Sequence, residues 1–73
     1  MEWKKTIDNN VGIVFKSKTN KYKGIDAWKH ISGSYWIISI KNNLGAVIQR
    51  KKAKTKESAR KFLFKYMKNH PNG

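Results

Sequence analysis

Residues 55–71 read TKESARKFLFKYMKNHP and carry the strongest periodic pattern in the chain. The apolar residues of this stretch recur at the spacing of one helical face: Ala59, Phe62, Leu63, Tyr66 and Met67. Thr55 is a suitable N-cap, and Glu57 places a negative charge where the helix dipole favours one. We therefore predict an amphipathic helix over residues 55–69, followed by a tail over residues 70–73.

Upstream of this helix, runs of β-branched and aromatic residues are typical of strands. The strongest run is YWIISIK (Tyr35–Lys41), which returns after a tight turn as AVIQRKK (Ala46–Lys52). Two weaker candidates precede it, GIVF (Gly12–Phe15) and IDAWKHIS (Ile25–Ser32). The sequence thus predicts an α+β fold, with an antiparallel sheet of three or four strands and one face covered by the C-terminal helix.

The 73 residues are expected to form a single domain. Residues 1–11 lack a sustained period and are interpreted as an N-terminal arm, in which Trp3 covers an edge of the core. Residues 12–52 make up the sheet. A bulge at Gly45 would exchange the faces of the residues that follow, so the sequence leaves open which face carries Arg50 and Lys52.

The charge of the chain is its second distinctive property. Seventeen Lys and Arg against four Asp and Glu give a formal net charge of +13, and nine of the basic residues lie between Arg50 and Lys68. Such a positive field attracts polyanions, although charge also keeps a small protein in solution. We favour the first interpretation, with DNA or RNA as the expected partner.

Motifs for catalysis or for cofactor binding are not found. The chain has no cysteine, its two histidines (His30 and His70) lie on separate elements, and its four acidic residues are scattered. No glycine-rich phosphate loop and no nucleophile–base arrangement is present. We therefore expect no enzymatic activity, no cofactor and no metal site.

The expected cellular location is the cytoplasm. Met1 is followed by Glu-Trp-Lys-Lys-Thr instead of an apolar leader segment. No run approaches the ~20 apolar residues that a membrane-spanning helix needs.

Several residues are candidates for contacts with nucleic acid. Phosphate contacts are predicted for lysines of the helix and for the basic end of the last strand, which comprises Arg50, Lys51, Lys52 and Lys54. The sequence leaves open whether the sheet or the helix faces the partner. Tyr35 or Trp36 could add contacts with bases. The basic segment Lys16–Lys23, which includes Tyr22, is an alternative location. An alternative of another class is a protein-interaction module that binds an acidic host protein and has no role with nucleic acid.

Oligomerisation is expected because so short a chain buries a small core and has no disulfide or metal to support it. Phe64 lies outside the apolar stripe of the predicted helix, about 130° away from it. It is either an isolated exposed phenylalanine or a contact in a homodimer, and we hold both interpretations.

The order of elements resembles that of the AP2 and integrase-arm DNA-binding domains. An aromatic pair (Tyr35-Trp36), a turn, a basic strand end (Arg50-Lys51-Lys52) and a helix start of the form T-x-E-x-A (Thr55–Ala59) follow one another. In that family the sheet enters the major groove of DNA. The resemblance implies contacts from Tyr35, Lys41, Arg50 and Lys52.

Over its full length the chain also resembles the small YopT family of Bacillus prophages, which is distinct from the protease toxin of similar name. The resemblance lies in the length, the lysine-rich composition and the order of strands followed by one helix. That family has no assigned function and is described as homodimeric, with three strands and one helix per protomer. The resemblance implies a prophage origin and a homodimer. It also implies that Gly12–Phe15 or Ile25–Ser32 is not a strand.

Overall fold

A computed structural model of the chain describes residues 2–71. It contains five strands and one helix: β1 (Trp3–Asp8), β2 (Gly12–Ser17), β3 (Gly24–Lys29), β4 (Trp36–Lys41), β5 (Val47–Ala53) and α1 (Lys56–Asn69). The strands form one antiparallel sheet in the order β1-β2-β3-β4-β5. The predicted α+β fold with a C-terminal helix is therefore confirmed, while the expected number of three or four strands is too low.

The additional strand comes from the segment interpreted as an N-terminal arm. β1 pairs with β2, with a bulge between Lys5 and Ile7, and Trp3 is buried in the core. The indole Nε1 of Trp3 donates a hydrogen bond of 2.7 Å to the carbonyl oxygen of His70, beyond the end of α1. The expected packing of Trp3 on the core is therefore confirmed, whereas the segment is a strand and not an arm. Its only buried residue is Trp3, so the sequence of β1 shows almost no alternation.

Both of the weaker strand candidates belong to the sheet. β3 is its central strand, and Ile25 and Ala27 of this strand have no solvent exposure. They lie opposite Phe15 and Ile13 of β2. The three-stranded arrangement implied by the YopT resemblance therefore does not hold for this chain.

The pairing of β4 with β5 shows which face of the sheet carries Arg50 and Lys52. In the turn, Asn42 Oδ1 accepts hydrogen bonds from the backbone N–H groups of Leu44 (2.9 Å) and Ala46 (3.1 Å), and Gly45 has a φ of +81°. The register shifts at Ile48, which has no partner on β4. The bulge thus follows the turn instead of lying at Gly45.

The helix is confirmed in its bounds and in its buried stripe. Thr55 is the N-cap, and its Oγ1 accepts a hydrogen bond of 3.1 Å from the backbone N–H of Ser58. The core between α1 and the sheet consists of buried apolar side chains from both layers, among them Ala59, Leu63, Met67, Ile25, Ile38 and Ile40, with Phe62 and Tyr66 at its margin. α1 ends at Asn69, and residues 72–73 of the predicted tail lie outside the described part of the chain.

Asp8 connects the end of β1 to the first turns of α1. Its carboxylate lies 3.1 Å from Lys56 Nζ, 3.2 Å from Arg60 Nη2 and 3.5 Å from Lys5 Nζ. The hydrogen bond from Lys56, together with the charge of Arg60 and a hydrogen bond from Lys5, holds the pKa of Asp8 below its ordinary value. Asp8 therefore links the N-terminal strand to α1 through ion pairs with Lys56 and Arg60.

The helix of residues 56–69 is too short and too polar to cross a membrane, and the described residues contain no other candidate.

Candidate nucleic-acid interface

The helix covers one side of the sheet and leaves the other side uncovered; we call the uncovered side the open face. Residues directly opposite each other on paired strands point to the same face, so the register defines its rows. One row runs Lys4, Lys16, Gly24, Lys41, Val47. The next runs Ile7, Val14, Asp26, Ser39, Arg50, and the third runs Gly12, Trp28, Ile37, Lys52.

Cations occupy two borders of the open face. Lys4, Lys16 and Lys41 form the first row, which we call the lysine row, and Arg50 and Lys52 lie along β5 at the edge of the sheet. Among residues 2–71, four of these five cations have no carboxylate within 4.0 Å; the exception is Lys41. Cations without acidic partners remain available for an external anion.

Asp26 is the acidic residue of the open face. It is 8% exposed, and its carboxylate lies 3.9 Å from Lys41 Nζ. Burial raises the pKa of Asp26 above its ordinary value, although the charges of Lys41 and Arg50 act in the opposite direction. Ionisation of Asp26 in the folded protein therefore carries a cost in desolvation free energy.

This cost predicts how Asp26→Asn changes stability with pH. Because the pKa is higher in the folded than in the unfolded state, wild-type stability falls as pH rises from below 3.8 through the folded-state pKa. The asparagine variant does not ionise, so we expect it to be more stable than wild type at pH 7, with the advantage shrinking below about pH 4. Urea denaturation at both pH values measures this, and a less stable variant at pH 7 would contradict it.

Tyr35 lies at the β5 side of the open face, beside Lys52. Lys52 Nζ is 4.9 Å from the centroid of the Tyr35 ring, within range of a cation–π interaction. The ring also stacks on His30, with centroids 4.4 Å apart. Tyr35 is half-buried and contacted by both of these side chains.

The remaining predicted residues are not all on this face. Lys51 points to the helix side, where its Nζ lies 4.8 Å from the centroid of Phe62. Trp36 is also on the helix side and is 5% exposed, so it is not available to bases. Lys54 is exposed in the two-residue link between β5 and α1. The structure thus places Tyr35, Lys41, Arg50 and Lys52 on one face, with Tyr35 and Lys41 at opposite ends of β4.

Trp28 is a candidate that the sequence analysis did not select. It lies on β3 between Gly12 and Ile37, and it is 42% exposed. A Cβ atom on Gly12 would overlap the six-membered ring of Trp28, so the indole lies flat across the glycine. The alternation of residues 25–30 places Trp28 opposite the core residues Ile25 and Ala27, which is the signal that could have identified it.

A pocket of about 240 Å³ lies beside the middle of the lysine row. Its wall includes Lys16, Lys21, Tyr22, Asp26 and Lys41. Tyr22 is 54% exposed, and Lys21 Nζ lies 5.0 Å from the centroid of its ring. Part of the basic segment Lys16–Lys23 therefore lies beside the open face.

Comparisons with known proteins found no match: no protein-family model, no curated protein and no solved structure matches this chain.

Proposed function

We propose that this protein is a non-enzymatic nucleic-acid-binding protein of the cytoplasm, and that its open face is the binding surface. The observation that supports this is the arrangement of Lys4, Lys16, Lys41, Arg50 and Lys52 on one side of the sheet. Phosphate oxygens are the anions that a repeated display of lysine and arginine side chains suits best. The net charge of +13 adds long-range attraction for the same polyanion.

The test of this function is the salt dependence of binding to DNA and RNA oligonucleotides. Five phosphate contacts release enough counterions to reduce the affinity roughly 100- to 500-fold between about 50 and about 200 mM salt. Fluorescence anisotropy of labelled oligonucleotides measures this directly. An absence of binding to both DNA and RNA at the lower salt concentration would refute the proposal.

An acidic host protein is the partner proposed by the alternative hypothesis. The open face has apolar residues in its centre (Val14, Trp28 and Ile37) and cations at its border, an arrangement that also occurs in protein interfaces. Polyglutamate serves as the acidic polypeptide in the same assay. Binding to polyglutamate in preference to both nucleic acids would favour the alternative.

The homodimer and the prophage origin implied by the YopT resemblance stay predictions. Phe64 remains the proposed dimer contact, because it is 49% exposed and its ring meets Phe15 only at an edge, with centroids 5.8 Å apart. A second copy could cover the exposed part of that ring.

A further inference from the structure

The five-stranded sheet is too wide to insert its open face into the major groove of DNA. Strands lie about 4.8 Å apart, so the five strands span about 19 Å from β1 to β5. The major groove of B-form DNA is about 12 Å wide and admits a helix or a two-stranded ribbon. The geometry implied by the AP2 resemblance, with the sheet inserted in the groove, therefore suits three strands better than the five found here.

A single strand meets no such limit, because it can lie across a broad surface with its bases turned toward the protein. Proteins that bind single strands combine cations along the backbone path with aromatic rings on which bases stack. The open face has both components. Trp28 presents the free side of its ring to solvent, since its other side rests on Gly12.

On the open face of β3, Trp28, Asp26 and Gly24 follow one another at alternate positions, and Gly24 lies in the wall of the pocket beside Tyr22. Trp28 and Gly24 are four residues apart on one strand, which corresponds to about 14 Å. Lys16 and Lys41 flank Gly24 on the neighbouring strands, so the end of β3 opposite Trp28 is the cationic end.

We infer that the open face binds single-stranded nucleic acid along β3, with a base stacked on Trp28 and the backbone held by the lysine row and the β5 cations. This inference rests on the proposed function and specifies the class of nucleic acid. Duplex DNA is the competing ligand, and it enters the test as an outcome.

The test compares three polyanions at one salt concentration: a single strand of about 12 nucleotides, the same sequence as a duplex, and inorganic polyphosphate of similar charge. We expect tighter binding of the single strand than of the duplex. Trp28→Ala should lower the affinity for the single strand by about 5- to 100-fold. It should leave the affinity for polyphosphate within about twofold, because polyphosphate has no base to stack.

Tryptophan fluorescence gives an independent readout. Trp3 and Trp36 are 6% and 5% exposed, so quenching caused by a stacked base should come from Trp28. Trp28→Phe keeps a ring over Gly12, and we expect it to bind the single strand within about threefold of wild type. Binding should no longer quench the fluorescence of this variant. If Trp28→Ala fails to fold, the Trp28→Phe variant still tests the inference.

Two results would overturn the inference while the proposed function stands. One is binding of the duplex as tightly as the single strand, with no selective loss in Trp28→Ala. The other is unchanged quenching in Trp28→Phe. If none of the nucleic acids binds at low salt, the proposed function fails and this inference fails with it.

Discussion

Leu63→Ala should remove much of the stability of this protein. Leu63 has no solvent exposure and lies in the core between α1 and the sheet. Truncation of a buried leucine to alanine costs about 2–5 kcal/mol, because apolar contacts are lost and a cavity remains. A domain of this size has a free energy of unfolding of about 4–11 kcal/mol. A loss of about 3 kcal/mol would lower the melting temperature by about 12–24 °C.

Phe64→Ala is the matched control, since it removes an even larger side chain from the next position of the same helix. Phe64 is 49% exposed and its ring meets Phe15 at an edge, so we expect less than half of the effect at protein concentrations where the chain is monomeric. Thermal unfolding followed by circular dichroism compares the two variants. Full thermal stability of Leu63→Ala would contradict the packing of α1 on the sheet.

Arg50→Glu combined with Lys52→Glu should abolish the proposed binding of nucleic acid. Both residues lie on the open face at the β5 edge and are exposed, so the changes leave the core intact. Two attractive contacts become repulsive ones, and we expect the affinity to fall about 100-fold or more at about 50 mM salt. Anisotropy with the oligonucleotides used for wild type measures the loss.

The control for this variant is Lys61→Glu combined with Lys65→Glu. These lysines are exposed on α1, away from the open face, and both pairs of changes lower the net charge by the same amount. A small loss in the control against a large loss in the β5 variant would locate the binding on the open face. Equal losses would show that net charge alone attracts the nucleic acid, and wild-type affinity in the β5 variant would contradict the assignment of Arg50 and Lys52.

The elements with a strong local pattern were predicted correctly. The apolar stripe of residues 59–67 and the cap at Thr55 led to the helix, and YWIISIK led to the central part of the sheet. These signals are local: a helical face and a strand alternation are complete within one segment. The positive charge was also apparent from the composition, and the proposal of a nucleic-acid partner starts from it.

The elements that depend on distant partners were not predicted. β1 is a strand because β2 pairs with it and because Trp3 reaches the end of α1, and neither neighbour is visible in residues 1–11. Lys51 was grouped with Arg50 and Lys52, although consecutive residues of a strand point to opposite faces. The position of the bulge, which only the pairing of β4 with β5 reveals, determined which face of the sheet carries Arg50 and Lys52.

By itself, then, the sequence determined the helix, the main hairpin and the excess of positive charge, because these follow from local periodicity and from composition. Only the tertiary structure decided the number of strands and the convergence of Lys4, Lys16 and Lys41 in one row, since they come from three different strands. The same pairing placed Trp28 across Gly12 on the open face. Strand register depends on how separate segments pair, so the residues that become neighbours on one face cannot be identified from any single segment.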